Sequence, residues 1–485
     1  MAMAEDDEDI SDFDRDKKEK QRLVVDAVAS HCSVDSSFED LRVIADAILQ
    51  HGDTLEIENL AGGYTNYTYK LFLGSDPSKA LFSKLCFPRA FWNPDPDLHY
   101  DVQRTENEYI MMERFAKLAP GCVATPYFII DIDDMKLLVA QWSPADEQMA
   151  NQFIDGSVDL RVAKNLASSV ATLHSMEVDP EFNTDARECM VSVFPAMKEE
   201  LLSYLIIGGD GDDDDPPSTK NKRAVQLAKE FGEDLCHFIF DACTESYRSK
   251  ECAVHSDLHA FNVLVEKKPD VQYLEEFGPN GSFVICDWEM AMSGPLGVDM
   301  GRVYSIPVAC MMAHAIQGND DVAKGIVLFM DTYWDHYQDT IKTLIRGDHN
   351  DKEHDDFLRK SYRNGMGWLG WKLFGMSFYG WFIPFLPIED PEVDALKESL
   401  MVLSLELMRW GFGGYEEGLS IQELSARLHA TLENELLFIQ KDRQQRSMPT
   451  NRRRRSSVLR ETNLRVSDSS YTLGRTSLSK ILDLE

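Results

Sequence analysis

The segment His255-Ser-Asp257-Leu-His259-Ala-Phe-Asn262 places a carboxylate, an amide and two imidazoles in one short stretch. An apolar approach, Cys252-Ala-Val254, leads into it, and Val263-Leu-Val265 resumes as a strand. Asp257 is therefore read in a loop held by regular structure on both sides, where a functional carboxylate belongs. Phosphoryl transfer to an alcohol needs a carboxylate that orients the hydroxyl and accepts its proton. It also needs oxygen ligands for Mg²⁺ on the nucleotide phosphates. Asp257 suits the first task, with His255 beside it as a second candidate catalytic residue. Asn262, five residues on, can return to the metal as a neutral oxygen ligand. The run Phe283-Val-Ile-Cys reads as a buried strand ending in Asp287-Trp288-Glu289. In a strand, positions i and i+2 share a face, so both carboxylates would point one way and Trp288 the other. Two carboxylates aimed at one point repel unless a cation joins them, which makes a divalent metal the natural third party.

Either motif alone is weak, because loop Asp and His residues are common and Asp-x-Glu at a strand end is usually a solvated rim. Their order relative to upstream elements carries the reading. Leu55 to Leu60, then Ala61-Gly62-Gly63, then a run through Asn66 to Leu73 reads as strand, glycine turn, strand. Gly62 and Gly63 would let that hairpin approach nucleotide phosphates with no side chain in the way, with Asn66 just beyond them. A third strand, from Ala80, carries Lys84 between apolar neighbours, where an ammonium can be held against phosphate. A helix follows over 102–118, with Glu108 as the ion-pair partner of Lys84 and Glu106 as the alternative. A strand pair, 125–131 and 135–141, closes a small sheet with one inserted helix.

The pattern predicts an α+β, two-lobed chain: a small antiparallel β-sheet N-lobe at 21–141, with two leading helices over 22–50, and a mainly helical C-lobe at 142–440. Helices are expected near 159–175, 190–206, 224–249, 319–346, 355–375 and 391–410, interrupted by a β-rich island at 254–290. Residues 1–20 read as a disordered acidic arm, 207–223 as an acidic Pro/Gly-rich insertion, and 441–485 as a basic, disordered tail.

Composition narrows the partners. Of 485 residues, 49 are Lys or Arg and 83 are Asp or Glu, a net charge of −34. A field of that sign argues against nucleic acid or an anionic membrane as the main partner. It could favour a cationic substrate, although a solubilising surface is the plainer reading. The nine cysteines are scattered singly and read as free thiols in a reducing compartment. The acidic start resembles neither a secretory signal nor a transit peptide, and no apolar run reaches the roughly 18 residues of a membrane span. A cytoplasmic protein is the expectation.

In this order the motifs resemble the aminoglycoside-phosphotransferase and choline-kinase branch of the protein-kinase-like fold, and within it the 5-methylthioribose kinase family. The stretches Lys117-Leu-Ala-Pro-Gly-Cys-Val-Ala-Thr-Pro-Tyr, Asp287 through Gly301, and Ile388-Glu-Asp-Pro-Glu carry the narrower likeness, which spans roughly residues 55–410. The resemblance implies ATP and Mg²⁺, with Asp257 as catalytic base and Asp287 and Glu289 as metal ligands. It implies a hinge over Met135–Trp142 that holds adenine through backbone atoms around Ala140 and Gln141. Asp299 would be a buried brace for the catalytic loop, the acceptor would be methylthioribose of methionine salvage, and a homodimer is possible. The chain departs from that family at Ser256, Asn262 and Trp288. At the family's paired substrate-side arginines it has Trp371-Lys372, which become the candidate substrate residues. The aromatic run Trp368, Trp371, Phe374, Phe378, Tyr379, Trp381, Phe382 and Phe385 reads as core, or else as a cage for a quaternary ammonium. The second alternative makes choline or ethanolamine kinase the rival. A reading of another class is a pseudokinase scaffold whose tail, Arg452 to Ser457, is regulated by phosphorylation.

Overall fold

The computed structural model describes residues 6–60, 66–88, 101–143, 145, 147–202, 222–266, 283–344, 351–380, 382–414 and 419–447. Gly62, Gly63, most of the acidic insertion and the tail beyond 447 lie outside the described residues.

Five strands, β1 (Leu55–Asn59), β2 (Asn66–Leu73), β3 (Ala80–Cys86), β4 (Pro126–Ile132) and β5 (Met135–Gln141), form one sheet in the order β1-β2-β3-β5-β4. Every pairing in it is antiparallel. Two leading helices, α1 (Asp6–His31) and α2 (Glu39–His51), cover one face through Val24, Val28, Leu41 and Ile44. The segment read as an unstructured arm at 1–20 is thus helical from Asp6 onward. A third helix, α3 (Arg104–Leu118), is inserted between β3 and β4. Alternation along β3 sends Leu81 and Leu85 toward α1 and α2. The opposite parity aims Phe82 and Lys84 at the other core, on the side of α3. That parity puts a lysine in the middle of a strand buried on both faces.

The rest is mainly helical. It begins with β6 (Glu147–Gln148), α4 (Met149–Ile154), α5 (Leu160–His174), α6 (Thr184–Leu202), α7 (Lys222–Phe231) and α8 (Glu233–Tyr247). Gly232, with φ of 79°, divides what the sequence presents as one helix into α7 and α8. Four three-residue strands follow: β7 (Cys252–Val254), β8 (Val263–Val265), β9 (Phe283–Ile285) and β10 (Met292–Gly294). They make two small antiparallel sheets, β6-β8-β9 and β10-β7, that frame the loops of interest. Five long helices complete the described residues: α9 (Val298–Gln317), α10 (Asp320–Leu344), α11 (Asp351–Tyr379), α12 (Asp390–Phe412) and α13 (Ile421–Ser447).

Helix α9 is buried from Val298 to Ile316 and forms the axis of this half. A helix apolar all round has no amphipathic stripe, so periodicity does not reveal it. Its close approach to α11 depends on Gly301, where an added Cβ would lie 2.6 Å from the backbone nitrogen of Leu369. Among the described residues the cysteines are free thiols. No described helix is long and apolar enough to cross a membrane.

Helix α13 is not apparent from the sequence pattern either. It is fastened to α10 by His429 Nε2 on Asp331 (2.7 Å) and by Arg443 on Asp320 (3.0 Å). The Asp331 carboxylate raises the His429 imidazole above its ordinary 6.5. A raised folded pKa means a contribution that is present below the unfolded value and is lost as pH rises through the folded one. His429→Gln should therefore lower stability by at most about 1 kcal/mol at about pH 5.5 and by nothing measurable at about pH 9. Urea unfolding at the two pH values checks this, and an equal loss at both would exclude the ion pair as its source.

Candidate active site

Lys84 is the point on which the first cluster converges. Its ammonium lies 2.9 Å from Glu108 Oε2, 2.6 Å from Asp287 Oδ1 and 3.1 Å from Glu289 Oε2. Burial acts to lower its pKa, but the three carboxylates outweigh that and hold it well above the ordinary lysine value. Glu106 lies elsewhere, paired with Lys136 at 2.8 Å. Glu108 also accepts the backbone N–H of Trp288 (3.1 Å), so α3 grips the turn that carries both acids.

That turn is not the pleated strand end that the spacing suggests. Strand β9 stops at Ile285, Asp287 takes a left-handed conformation (φ 63°), and Trp288–Met290 form a 3₁₀ turn. Aspartate tolerates this region better than most residues. Asp287 and Glu289 still converge on Lys84, but through a turn. Trp288 is fully buried, with its ring tilted against those of His255 and Phe115.

Glu289 is further held by Arg104 Nε (3.2 Å) and by the amide of Asn66 (3.0 Å), while Arg104 donates to Asn66 Oδ1 (2.9 Å). Lys84 and Arg104 keep Glu289 ionised below its usual range despite burial. Glu108 goes the other way: burial pushes it up to about 7, with Lys84 offsetting only part. Three carboxylates thus face two cations, and their oxygens lie within 4.8 Å of one another. An all-carboxylate set with negative charge to spare fits a hard divalent cation such as Mg²⁺.

The second cluster is the loop from His255 to Asn262. Asp299, at the start of α9 and fully buried, accepts the backbone N–H groups of His255 and Ser256, each at 2.8 Å. His174 completes its shell at 3.2 Å and is itself bonded to Tyr337 (2.8 Å). Burial opposes the charge, yet the His174 bond and the loop N–H groups hold Asp299 below its ordinary value. Ser256 sits at φ 67°, a conformation glycine adopts freely, and is secured by Tyr247 (2.7 Å). His255 is buried with both ring nitrogens engaged, Nε2 on Cys286 O (2.9 Å) and Nδ1 facing the N–H of Asp257 (3.3 Å). Burial lowers its pKa, so it is a neutral brace rather than an exposed acid or base. The Asn262 side-chain amide donates to Asp257 O (2.9 Å), a clamp within the loop that leaves its carbonyl oxygen out of that bond.

Asp257 is the member of this loop whose carboxylate reaches solvent, at 27% exposure. Arg302 from α9 donates to Oδ1 (2.9 Å), Lys372 from α11 lies 3.7 Å from the same oxygen, and His259 Nε2 is 3.4 Å from Oδ2. Burial acts to raise its pKa, but His259, Lys372 and Arg302 together hold it well below the carboxylate range. The two loops are stitched together, since Cys286 O accepts from His255 and Cys286 N–H donates to Asn262 O (2.9 Å).

Other sequence candidates fall differently. Trp371 faces away from Asp257 into a second core, 4.8 Å from the ring of Phe194 and 5.8 Å from Phe240. Ala140 is buried within the sheet, and the Gln141 N–H already donates to Thr125 O (2.9 Å), so a base would have to pair with backbone beyond it. Arg104 and Arg302 are two residues of the candidate site that the sequence reading misses. Arg302 lies three residues after Asp299, on the same face of α9, which is the one sequence signal that points to it.

No family model matches the chain, and no curated protein matches it. Among solved structures it is similar to a glucosamine kinase in complex with glucosamine, ADP and inorganic phosphate. That alignment has TM-score 0.37 and 11% identity, over 83% of this chain and 82% of that one. It is also similar to a protein from Haemophilus somnus 129PT that carries the name "Putative fructosamine-3-kinase", with TM-score 0.31 and 13% identity over 75% and 96% of the two chains. Both scores fall below those of a shared fold.

Asp299→Asn should lower stability by roughly 1–3 kcal/mol, because an amide offers one acceptor where two N–H groups and a histidine now converge. Calorimetric unfolding tests this; a midpoint equal to that of the parent protein would show that the brace is dispensable.

Proposed function

We propose that the chain is an ATP- and Mg²⁺-dependent kinase that transfers the γ-phosphoryl group to a hydroxyl of a small molecule. The observation that carries this reading is the stitching of two loops. One holds Asp257 facing solvent, and the other holds Asp287 and Glu289 against the buried Lys84. In-line phosphoryl transfer needs an acceptor-orienting carboxylate beside a metal-binding, lysine-bearing phosphate site, and little other covalent chemistry from the protein.

Asp287 and Glu289 would hold the metal, whose chemistry is to neutralise charge on the nucleotide phosphates. Lys84, kept charged by its neighbours, would release part of its hold on them to meet the α- and β-phosphates. Asp257 would accept a hydrogen bond from the acceptor hydroxyl and align its oxygen. Because Arg302, Lys372 and His259 keep this carboxylate a weak base, alignment is its larger task, and it takes the proton late in transfer. Asn262 would act mainly by holding the backbone of Asp257.

For the acceptor, the sequence resemblance names 5-methylthioribose as the first compound to assay, with choline and ethanolamine as rivals. The burial of Trp368, Trp371 and Phe374 in a ring cluster with Phe194 and Phe240 favours a sugar-like acceptor over a quaternary ammonium. The scaffold reading is disfavoured by the intact set Lys84, Glu108, Asp257, Asp287 and Glu289 in mutual contact or stitched loops.

ADP release from a panel of methylthioribose, choline, ethanolamine and aminoglycosides tests the reading. At least one acceptor should be turned over only with Mg²⁺. Asp257→Asn should lower kcat roughly 10²- to 10⁴-fold while the ATP affinity stays unchanged. Lys84→Met should instead weaken ATP binding. If ATP does not bind, or binds equally well to Lys84→Met, the kinase assignment fails.

A further inference from the structure

The turn that carries Asp287 and Glu289 is gripped by a residue that none of the motifs contains. Asn183 stands just before α6, buried and left-handed at φ 54°. Its side-chain amide donates to Glu289 O (3.0 Å) and to Ala291 O (2.8 Å). These bonds span 106 and 108 positions, so no local spacing announces them. The Asn183 side-chain oxygen accepts from the amide of Asn107 (3.0 Å), which lies on α3 next to Glu108. Helix α3 thus reaches the turn through two consecutive residues. Glu108 accepts the N–H of Trp288 directly, and Asn107 acts through Asn183 on the carbonyls of Glu289 and Ala291. Slightly further into α6, Arg187 donates to Ser293 O (3.3 Å), so the same helix start also holds the chain along β10.

The residue type matters. Two carbonyls two residues apart need two N–H donors from one point, and a primary amide supplies both while its oxygen accepts a third bond. Asparagine is also among the few residues besides glycine that enter the left-handed region readily. An aspartate of the same shape would set its oxygens against both carbonyls. What Asn183 fixes is the backbone of Glu289. The Glu289 side chain is fixed separately, because Lys84, Arg104 and Asn66 all meet Oε2 and leave Oε1 out of those bonds. We propose that Asn183 is a positioning residue for the metal, setting through the Glu289 backbone where Oε1 stands beside Asp287. The proposal rests on the kinase reading above and adds to its metal site a residue that touches neither metal nor nucleotide. Outer residues that orient metal ligands typically govern about 10- to 100-fold of metal affinity. A residue that served only the fold would change stability without separating metal-bound from metal-free nucleotide.

The test is calorimetric binding of ADP to the full chain, once with Mn²⁺ and once in EDTA, the ratio of the two affinities being the gain due to metal. Asn183→Gly accepts the left-handed backbone and lacks the amide. It should cut that gain roughly tenfold while the affinity for ADP in EDTA stays the same. Asn107→Ala keeps the Asn183 amide but removes the bond that orients it, and should cut the gain by a smaller factor. It also carries the test by itself if Asn183→Gly does not fold. The proposal is overturned if Asn183→Gly keeps the gain of the parent chain, or if its affinity in EDTA falls by the same factor as its affinity with Mn²⁺. A gain unchanged in Asn107→Ala overturns it as well. A parent chain that binds no ADP under either condition overturns the kinase reading and this proposal together. A parent gain that both variants retain overturns the proposal alone.

Discussion

One buried ammonium organises the structure. Lys84 contributes a charge that cannot remain in the interior alone, and its pairing with Glu108, Asp287 and Glu289 offsets that cost. Each partner comes from a different place: Glu108 from α3, Asp287 from the left-handed residue after β9, and Glu289 from the 3₁₀ turn beyond it. A strand, a helix and a loop more than 200 positions away in sequence are thereby fixed against one another. Arg104 extends the same logic, because Glu289 needs more positive charge than a shared lysine supplies.

Asp299 plays the corresponding part for the second loop, with backbone N–H groups in place of ammonium. It is fully buried and ionised, and it holds Ser256 in a backbone conformation that a serine would not choose unaided. Its partner His174 leads to Tyr337, so α5, α9 and α10 all bear on the placement of Asp257. His255 and Cys286 then join the two loops directly. The candidate site residues are positioned almost wholly by polar contacts, while the apolar cores set the distances between the elements that carry them.

Much of this was legible in the sequence, for physical reasons that differ from residue to residue. Lys84 within an apolar strand and Asp257 between two strand runs announce themselves, because local pattern determines both strand parity and loop position. The α+β division into a small antiparallel sheet and a mainly helical remainder follows from the change in hydrophobic period near Trp142. Helix α9 was missed because a helix buried on all sides carries no period to detect. Arg104 and Arg302 were missed because an arginine shows its role only once its distant partner is placed. Trp371 is open to both a core and a substrate-side reading in the sequence, since an aromatic beside a site and an aromatic in a core look alike in one dimension, and the fold places it in a core. The strand geometry read at Asp287 failed because the chain turns left-handed two residues after β9 ends, and no local residue pattern demands that.

The first cluster is unbalanced in charge, and it meets solvent at Asp287, whose side chain is 39% exposed. Glu108, Asp287 and Glu289 carry more negative charge than Lys84 and Arg104 neutralise, so the site gains by admitting a cation. In a low-dielectric interior such an imbalance stores free energy that a matching ligand releases. Ligands that bind only the folded chain stabilise it by RT ln(1 + c/Kd) at free ligand concentration c, which grows with concentration above Kd. The first cluster is therefore incomplete by itself, and its charge favours a bound cation.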